Sequence, residues 1–314
     1  MAAPDHPSIP IICGPTGSGK TAVAVALARE FPLEVVSADS RQIIRYLDIG
    51  TAKPTRAERE AVTFHLLDIV DPGQRYSAYR FISDADKVIG SILGAGRIPL
   101  VVGGTGLYLR ALIEGVVEIE NEDLSLREKL EQEMSEAGCD RMYEKLKQID
   151  PDEAARIHPH NRVRVIRALE IYHLTGKSKS DMMASGAYKK SAYHYQYFCL
   201  SPPRDKLYRQ IDQRVEEMMG DGLLDELKSL VARGLGDQIK KSNVIGYSEL
   251  LDHLGGNLSL DAAVIKIKQN SRRYAKRQLT WFRAQPACDL FDSAGKLRRA
   301  VSDKCLLWRE CTDN

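Results

Sequence analysis

The 314-residue sequence predicts an α/β protein: a parallel sheet flanked by helices, with an all-helical domain inserted into it. Three observations carry this. Short apolar runs alternate with helical patterns over the first hundred residues, as consecutive strand–helix units do. A glycine loop, Gly14-Pro15-Thr16-Gly17-Ser18-Gly19-Lys20-Thr21, lies between an apolar run and a helical one. A highly charged stretch with helical spacing then interrupts the alternation.

Taken in order, Ser8 to Cys13 is the first buried strand, and Ala22 to Ala28 continues as a helix. The loop between them spells G-x-x-x-x-G-K-[ST], which makes the core resemble a phosphate-loop (P-loop) NTPase-like fold. Glycines let successive backbone N–H groups converge on an anion, and the helix N-terminus adds positive dipole. Lys20 supplies a point charge, and the Thr21 hydroxyl is a ligand for Mg²⁺. Leu33 to Ser37, Phe64 to Leu67 and Ile98 to Val102 read as further strands, with a helix over Tyr79 to Leu93 and a stop at Gly94-Ala95-Gly96. Residues 118–150 interleave acidic and basic side chains. Leu126, Leu130, Met134 and then Met142, Leu146, Ile149 give one apolar face each. Tyr193 to Leu200 returns to the sheet, Pro202-Pro203 punctuates it, and 204–283 is helical again. The tail 284–314 takes no assignment. The predicted division is a catalytic core, 1–115 with 191–314, and an inserted helical domain, 116–190.

Composition narrows the function classes. A net charge of +2 excludes a global polyanion-binding field, so nucleic-acid contact needs local patches. No apolar run approaches membrane-spanning length, and the first ten residues lack the basic and apolar regions of a signal peptide. A cytoplasmic protein with no membrane partner is expected. Cysteines at 13, 139, 199, 288, 305 and 311 form no C-x-x-C pair. Reduced thiols in the core are the expectation, ahead of zinc or disulfides.

Asp39 follows the strand Leu33 to Ser37, on the side of a parallel sheet where ligands bind. It reads either as a base or metal-associated carboxylate, or as the N-cap of a following helix. Gly103-Gly104-Thr105-Gly106 follows another strand end and suits close ligand approach or a tight turn alike. Many phosphate-loop hydrolases end that strand in an acidic residue; here it ends in glycine, which argues against hydrolysis. Lys53, in Asp48 to Pro54, is either a phosphate ligand or a solvated lysine. Residues 262–283 carry seven cations, Arg272, Arg273 and Lys276 among them, with no acidic residue and with Tyr274, Trp281 and Phe282 interleaved. Cations on backbone phosphates and aromatics on unpaired bases would suit RNA; a solvated basic face is the alternative. Arg162, Arg164 and Arg167 form a second cluster behind His158 and His160, which lack a metal-ligand partner set.

In order along the chain, these motifs resemble the tRNA dimethylallyltransferases (tRNA isopentenyltransferases) of bacterial type. The matching pieces are Gly14 to Thr21, Asp39-Ser40-Arg41-Gln42, Asp48 to Pro54, Asp71 to Ala78 and Val102 to Tyr108. Ile157-His158-Pro159, Arg167 to Glu170, Thr175-Gly176-Lys177, Gly246-Tyr247 and Ala275 to Arg283 complete the set. Pro159-His160-Asn161 departs from the family's usual Pro-Asn-Asp, and the chain lacks the zinc-finger extension of many eukaryotic members. The resemblance implies transfer of a dimethylallyl group from dimethylallyl diphosphate to N6 of the adenosine 3′ of the anticodon, with Mg²⁺ as cofactor. Asp39 would be the base, with Lys20 and Thr105 in the reacting region. Gly14 to Thr21 and Arg214 would hold the diphosphate. Asp39, Ser40, Arg41, Gln42, Thr105, Arg127, Val163, Arg164, Val165, Ile166, Arg167, Arg272, Arg273 and Lys276 would meet the tRNA anticodon stem-loop. A monomer is expected.

Overall fold

The computed structural model describes residues 7–117, 124–285 and 288–312. Its contacts divide the chain into two compact units, Met1–Ile113 with Ser191–Asn314, and Glu114–Lys190.

The larger unit opens with β1 (Ile9–Cys13), α1 (Lys20–Ala28), β2 (Leu33–Ser37), α2 (Arg56–Ala61), β3 (Phe64–His65), α3 (Ala78–Gly94), β4 (Ile98–Gly103) and α4 (Gly106–Glu114). The smaller unit contains β5 (Val116–Val117), α5 (Leu124–Ala137), α6 (Cys139–Ile149), α7 (Pro151–Ala155), α8 (Arg162–Thr175), α9 (Lys179–Ala184) and β6 (Tyr188–Lys189). The larger unit then resumes with β7 (Tyr195–Leu200), α10 (Arg204–Gly220), α11 (Leu223–Ala232), α12 (Gly236–Ser242), α13 (Tyr247–Leu254), α14 (Leu260–Arg283), β8 (Cys288–Phe291) and α15 (Ala294–Thr312).

The six strands of the main sheet run in the order β3-β2-β4-β1-β7-β8, and every described pairing in it is parallel. Each residue of β1 and β4 is buried, because helices cover both faces of the sheet. Register sets Ser37 of β2 beside Val102 of β4, and Cys13 of β1 beside Gly103 of β4. Three neighbouring strand ends therefore deliver Asp39, the turn 103–106 and the phosphate loop to one crevice.

The structure departs from the sequence expectations at four places. The strand at Phe64 stops after two residues, because Leu66 and Asp68 adopt positive φ, 60° and 56°, and leave the extended region. No helix follows Asp39; the chain turns through 40–43, and Tyr46 and Ala52 also take positive φ. The tail supplies the sixth strand, β8, and a long helix, α15. Leu297, Val301, Cys305 and Trp308 of that helix are buried, and it packs on α1 and β7. The smaller unit is helical apart from the antiparallel ladder Val116–Lys189 and Val117–Tyr188, so it is not all-helical. Its core gathers the predicted apolar faces, Leu130, Met134, Met142 and Leu146 among them, onto Val165, Ile166 and Leu169 of α8.

Candidate active site

The phosphate loop is shaped by backbone angles that side chains rarely adopt. Gly14, Gly17 and Gly19 have φ of 143°, 76° and 93°. A Cβ on Gly14 would stand 2.5 Å from the Leu200 carbonyl oxygen, and one on Gly17 2.8 Å from Ile211. Ser18 Oγ donates to the Pro15 carbonyl at 2.8 Å, closing the loop on itself. Lys20 Nζ donates to the carbonyls of Gly14 and Pro15 at 2.9 and 2.8 Å. Burial pulls the Lys20 pKa down to about 8; Asp39 opposes this shift and the Arg214 cation adds to it. Arg214, on α10, is also lowered by burial, again opposed by Asp39.

Asp39 is the electrostatic hub of the crevice. Its field raises Tyr108 and Tyr274, in each case behind burial as the larger cause, and Tyr274 reaches about 12. Asp39 Oδ1 accepts the Arg41 N–H at 2.8 Å. The carboxylate thus caps a turn rather than a helix, through one oxygen. The Thr105 hydroxyl accepts the Ser40 N–H at 2.9 Å and donates to Ser40 Oγ at 3.2 Å, and Thr105 N–H donates to the Ala38 carbonyl at 3.2 Å. Asp39, Ser40 and Thr105 are brought together. Arg41 Nη1 donates to the Ser242 carbonyl at 2.8 Å. Gln42 accepts from Ser37 Oγ and donates to the Ala52 carbonyl at 2.9 Å, so its amide clasps the strand end to the loop at 52.

Gln278, to which the sequence alone assigns no role, joins the two turns. Thr16 N–H donates to Gln278 Oε1 at 2.9 Å, and Gln278 Nε2 donates to the Gly104 carbonyl at 2.9 Å. The side chain is buried in α14. The signal was present in the run Lys276-Arg277-Gln278, where a lone neutral amide follows two cations.

A cavity of about 760 Å³ opens beside the loop, lined by Thr21, Arg214, Lys53, Glu58, Glu217 and Asp221 among others. Lys53 is neither solvated nor free for a phosphate. Its side chain is 1% exposed, and Nζ donates to the Ile44 carbonyl, Asp48 and Asp68, which takes all three of its protons.

The basic clusters resolve into bound and exposed cations. On α14, Lys266, Lys268 and Arg272 pair with Asp252, Glu216 and Asp212. Arg272 reaches both Asp212 oxygens, at 2.7 and 2.6 Å, so it is a strut between α14 and α10. Arg273, Lys276, Arg277 and Arg283 are exposed. In the smaller unit, buried Glu170 accepts from Arg167 at 2.8 Å and lies 3.8 Å from Arg127, which orients both guanidiniums. Val163 and Arg164 are exposed. Helix periodicity turns the side chains of Val165 and Ile166 into the core, at 0% and 4% exposure, so they present no side chain to a partner.

The fold and site define a phosphate-loop α/β protein whose crevice holds a carboxylate, a lysine and an arginine, with glycine at the end of β4. Residues 42–285 match the model of the family described as IPP transferase, and residues 7–68 match that of isopentenyl transferase. The chain belongs to the IPP transferase family. It is 48% identical over 286 residues to tRNA dimethylallyltransferase 1 of Pelobacter propionicus, covering 91% of this chain and 93% of that one. Against the tRNA dimethylallyltransferase of Geobacillus thermodenitrificans identity is 45%, with 93% of each chain covered. The crystal structure of full-length tRNA isopentenylpyrophosphate transferase from Bacillus halodurans is 39% identical, with a TM-score of 0.68 over 98% of this chain and 99% of that one. A eukaryotic dimethylallyltransferase acting on tRNA superposes with a TM-score of 0.79 at 29% identity, over 96% of this chain and 80% of that one.

Proposed function

We propose that the chain is a cytoplasmic, monomeric tRNA dimethylallyltransferase. It moves the five-carbon group of dimethylallyl diphosphate to N6 of the adenosine 3′ of the anticodon, in tRNAs reading codons that begin with U. One observation carries the reading: the phosphate loop, Asp39 and Thr105 converge from adjacent parallel strand ends, while β4 ends in Gly103 where hydrolases place a carboxylate. In the described residues, no helix is long and apolar enough to cross a membrane.

The chemistry follows from these positions. The adenine N6 amine is a poor nucleophile, since its lone pair is delocalised into the ring. Asp39 accepts a hydrogen bond from N6 and then its proton, as the N6–C1 bond forms and the C1–O bond to diphosphate breaks. The electron pair leaves on diphosphate. Backbone amides of the loop, Lys20 and Arg214 stabilise that charge. Lys20 releases the Gly14 and Pro15 carbonyls to do so. Magnesium fits the donor chemistry here: Thr21 offers a hard hydroxyl oxygen on a cavity wall shared with Glu58, Glu217 and Asp221, and Mg²⁺ takes few protein ligands beside phosphates and water. When bound, it neutralises charge on the leaving diphosphate. The acceptor base must leave the anticodon-loop stack to reach Asp39. Exposed Arg273, Lys276 and Arg164 suit its flanking backbone.

Incubation with labelled dimethylallyl diphosphate, unmodified tRNA and free AMP tests this. Label is expected in tRNA; label in AMP alone would make the chain an adenylate prenyltransferase. Asp39→Asn is expected to lower the single-turnover rate by about a hundredfold or more with both substrates saturating. A wild-type rate would reduce Asp39 to its turn-capping bond with Arg41.

A further inference from the structure

Behind the phosphate loop lies a cluster that the transfer reaction does not use. Cys13 ends β1, Cys199 is its register partner on β7, and Cys288 opens the neighbouring strand β8. Their sulfurs all lie within 4.8 Å of one another, and Cys13 Sγ is 4.0 Å from Cys288 Sγ. Cys13 and Cys199 are fully buried and Cys288 is half-buried. No C-x-x-C spacing announces the group, because each thiol comes from a different strand.

We propose that Cys13, Cys199 and Cys288 bind one soft, thiophilic cation, Cu(I) or Zn(II), directly behind the phosphate loop. Three sulfurs from three strands stand close enough to share one ion. At a metal–sulfur distance of about 2.3 Å, three sulfurs in a plane around one ion stand about 4.0 Å apart, and at tetrahedral corners about 3.8 Å. The Cys13–Cys288 pair already stands at that spacing, 4.0 Å, and every pair lies within 4.8 Å. Soft thiolates select Cu(I) and Zn(II) over the hard ions of the diphosphate site. Thiols coordinate as thiolates, so each sulfur that binds the ion gives up its proton to solvent. Lys20 interacts electrostatically with Cys13 and Cys199, so its ammonium offsets the negative charge that the thiolates bring.

The test uses reduced full-length protein without oxygen. It is titrated with Cu(I) held by a colorimetric chelator and, separately, with Zn(II) held by a chromophoric one. One equivalent of at least one ion is expected to leave its chelator for the protein, and the two arms distinguish the ion. Cys199→Ser and Cys288→Ser are each expected to weaken binding by at least about a hundredfold, the scale of losing support at a metal site. Cys139→Ser, in the smaller unit, leaves binding unchanged. The bound ion also raises the thermal midpoint of the wild type and leaves that of the Cys288→Ser variant unmoved. Circular dichroism of the Cys288→Ser protein, altered only at a half-buried position, confirms that it folds. If neither ion is withdrawn by the wild type, or if both variants bind as the wild type does, the proposal is overturned.

Discussion

Two glycine turns sit side by side at the ends of β1 and β4, and they are glycine-rich for different reasons. In the loop 14–21, Gly14, Gly17 and Gly19 all take positive φ, and nothing within 4 Å would meet a Cβ on Gly19. In the turn 103–106 no glycine has positive φ. There a Cβ would stand 2.2 Å from the Ala38 carbonyl oxygen at Gly103, 2.6 Å from Gln278 Nε2 at Gly104 and 2.6 Å from the Trp281 ring at Gly106. The loop 14–21 needs glycine for its backbone angles, and at Gly14 and Gly17 for room as well. The turn 103–106 needs glycine for room alone, so that the rest of the protein can lie against it. Glycine content does not separate the two turns; the sign of φ does.

The contrast breaks most sharply at Lys20. Lys20→Ala is expected to slow single-turnover transfer by about 10²–10³-fold and to weaken donor binding, because a charge on the leaving group disappears. Affinity for tRNA, read by filter binding, stays within twofold; an equal loss there would move Lys20 to the acceptor side. At the packing joint, Gly106→Ala overfills the space under Trp281 and is expected to cost about 1–3 kcal/mol in urea denaturation, with donor affinity unchanged. Gly19→Ala reverses the pattern: it meets no atoms, strains only its own backbone, and lowers donor affinity far more than stability.

The pH dependence sharpens the electrostatic half. Lys20 has a folded pKa of about 8 against an ordinary 10.5, so above pH 8 the free protein loses this charge while the unfolded chain keeps it. Fold stability therefore rises with pH between these values, and donor affinity falls, by about fivefold from pH 8 to 9 and toward tenfold per unit beyond. Isothermal titration across this range reads the slope, and Lys20→Arg flattens it. The smallest effect concerns α14. Replacing Arg273 and Lys276 with Ala is expected to reduce the salt slope of tRNA binding by about 1.4, while Arg272→Ala loosens the Asp212 strut and leaves the slope unchanged. A slope that moves with Arg272 instead would show that the Asp212 pair opens on RNA.

The strands β1 and β4 were legible because fully buried parallel strands are near-continuous apolar runs, β2 and β7 because most of their residues are still apolar and buried, and the loop motif because it is contiguous. The segment from Asp39 to Lys53 was not. It is held by Gln42, by turns at positive φ and by Lys53 between Asp48 and Asp68, contacts with no sequence period. β8 escaped because its four residues lie half-buried to exposed at a sheet edge and alternate no apolar face. Within the basic helix, composition showed the cations but hid their partners, since Asp212, Glu216 and Asp252 belong to other helices. The burial of the Val165 and Ile166 side chains follows from helix periodicity, which adjacency to Arg164 and Arg167 does not reveal.

Gln278 gives the phosphate loop and α14 one shared side chain. The helix that exposes Arg273, Lys276 and Arg277 also holds the amide of Thr16 through that one buried side chain. An RNA that shifted α14 would act on the Thr16 bond. Any factor by which RNA changes donor affinity must then equal the factor by which donor changes RNA affinity. If RNA seats on α14, Gln278→Ala is expected to reduce that factor, read by titrating donor with and without tRNA.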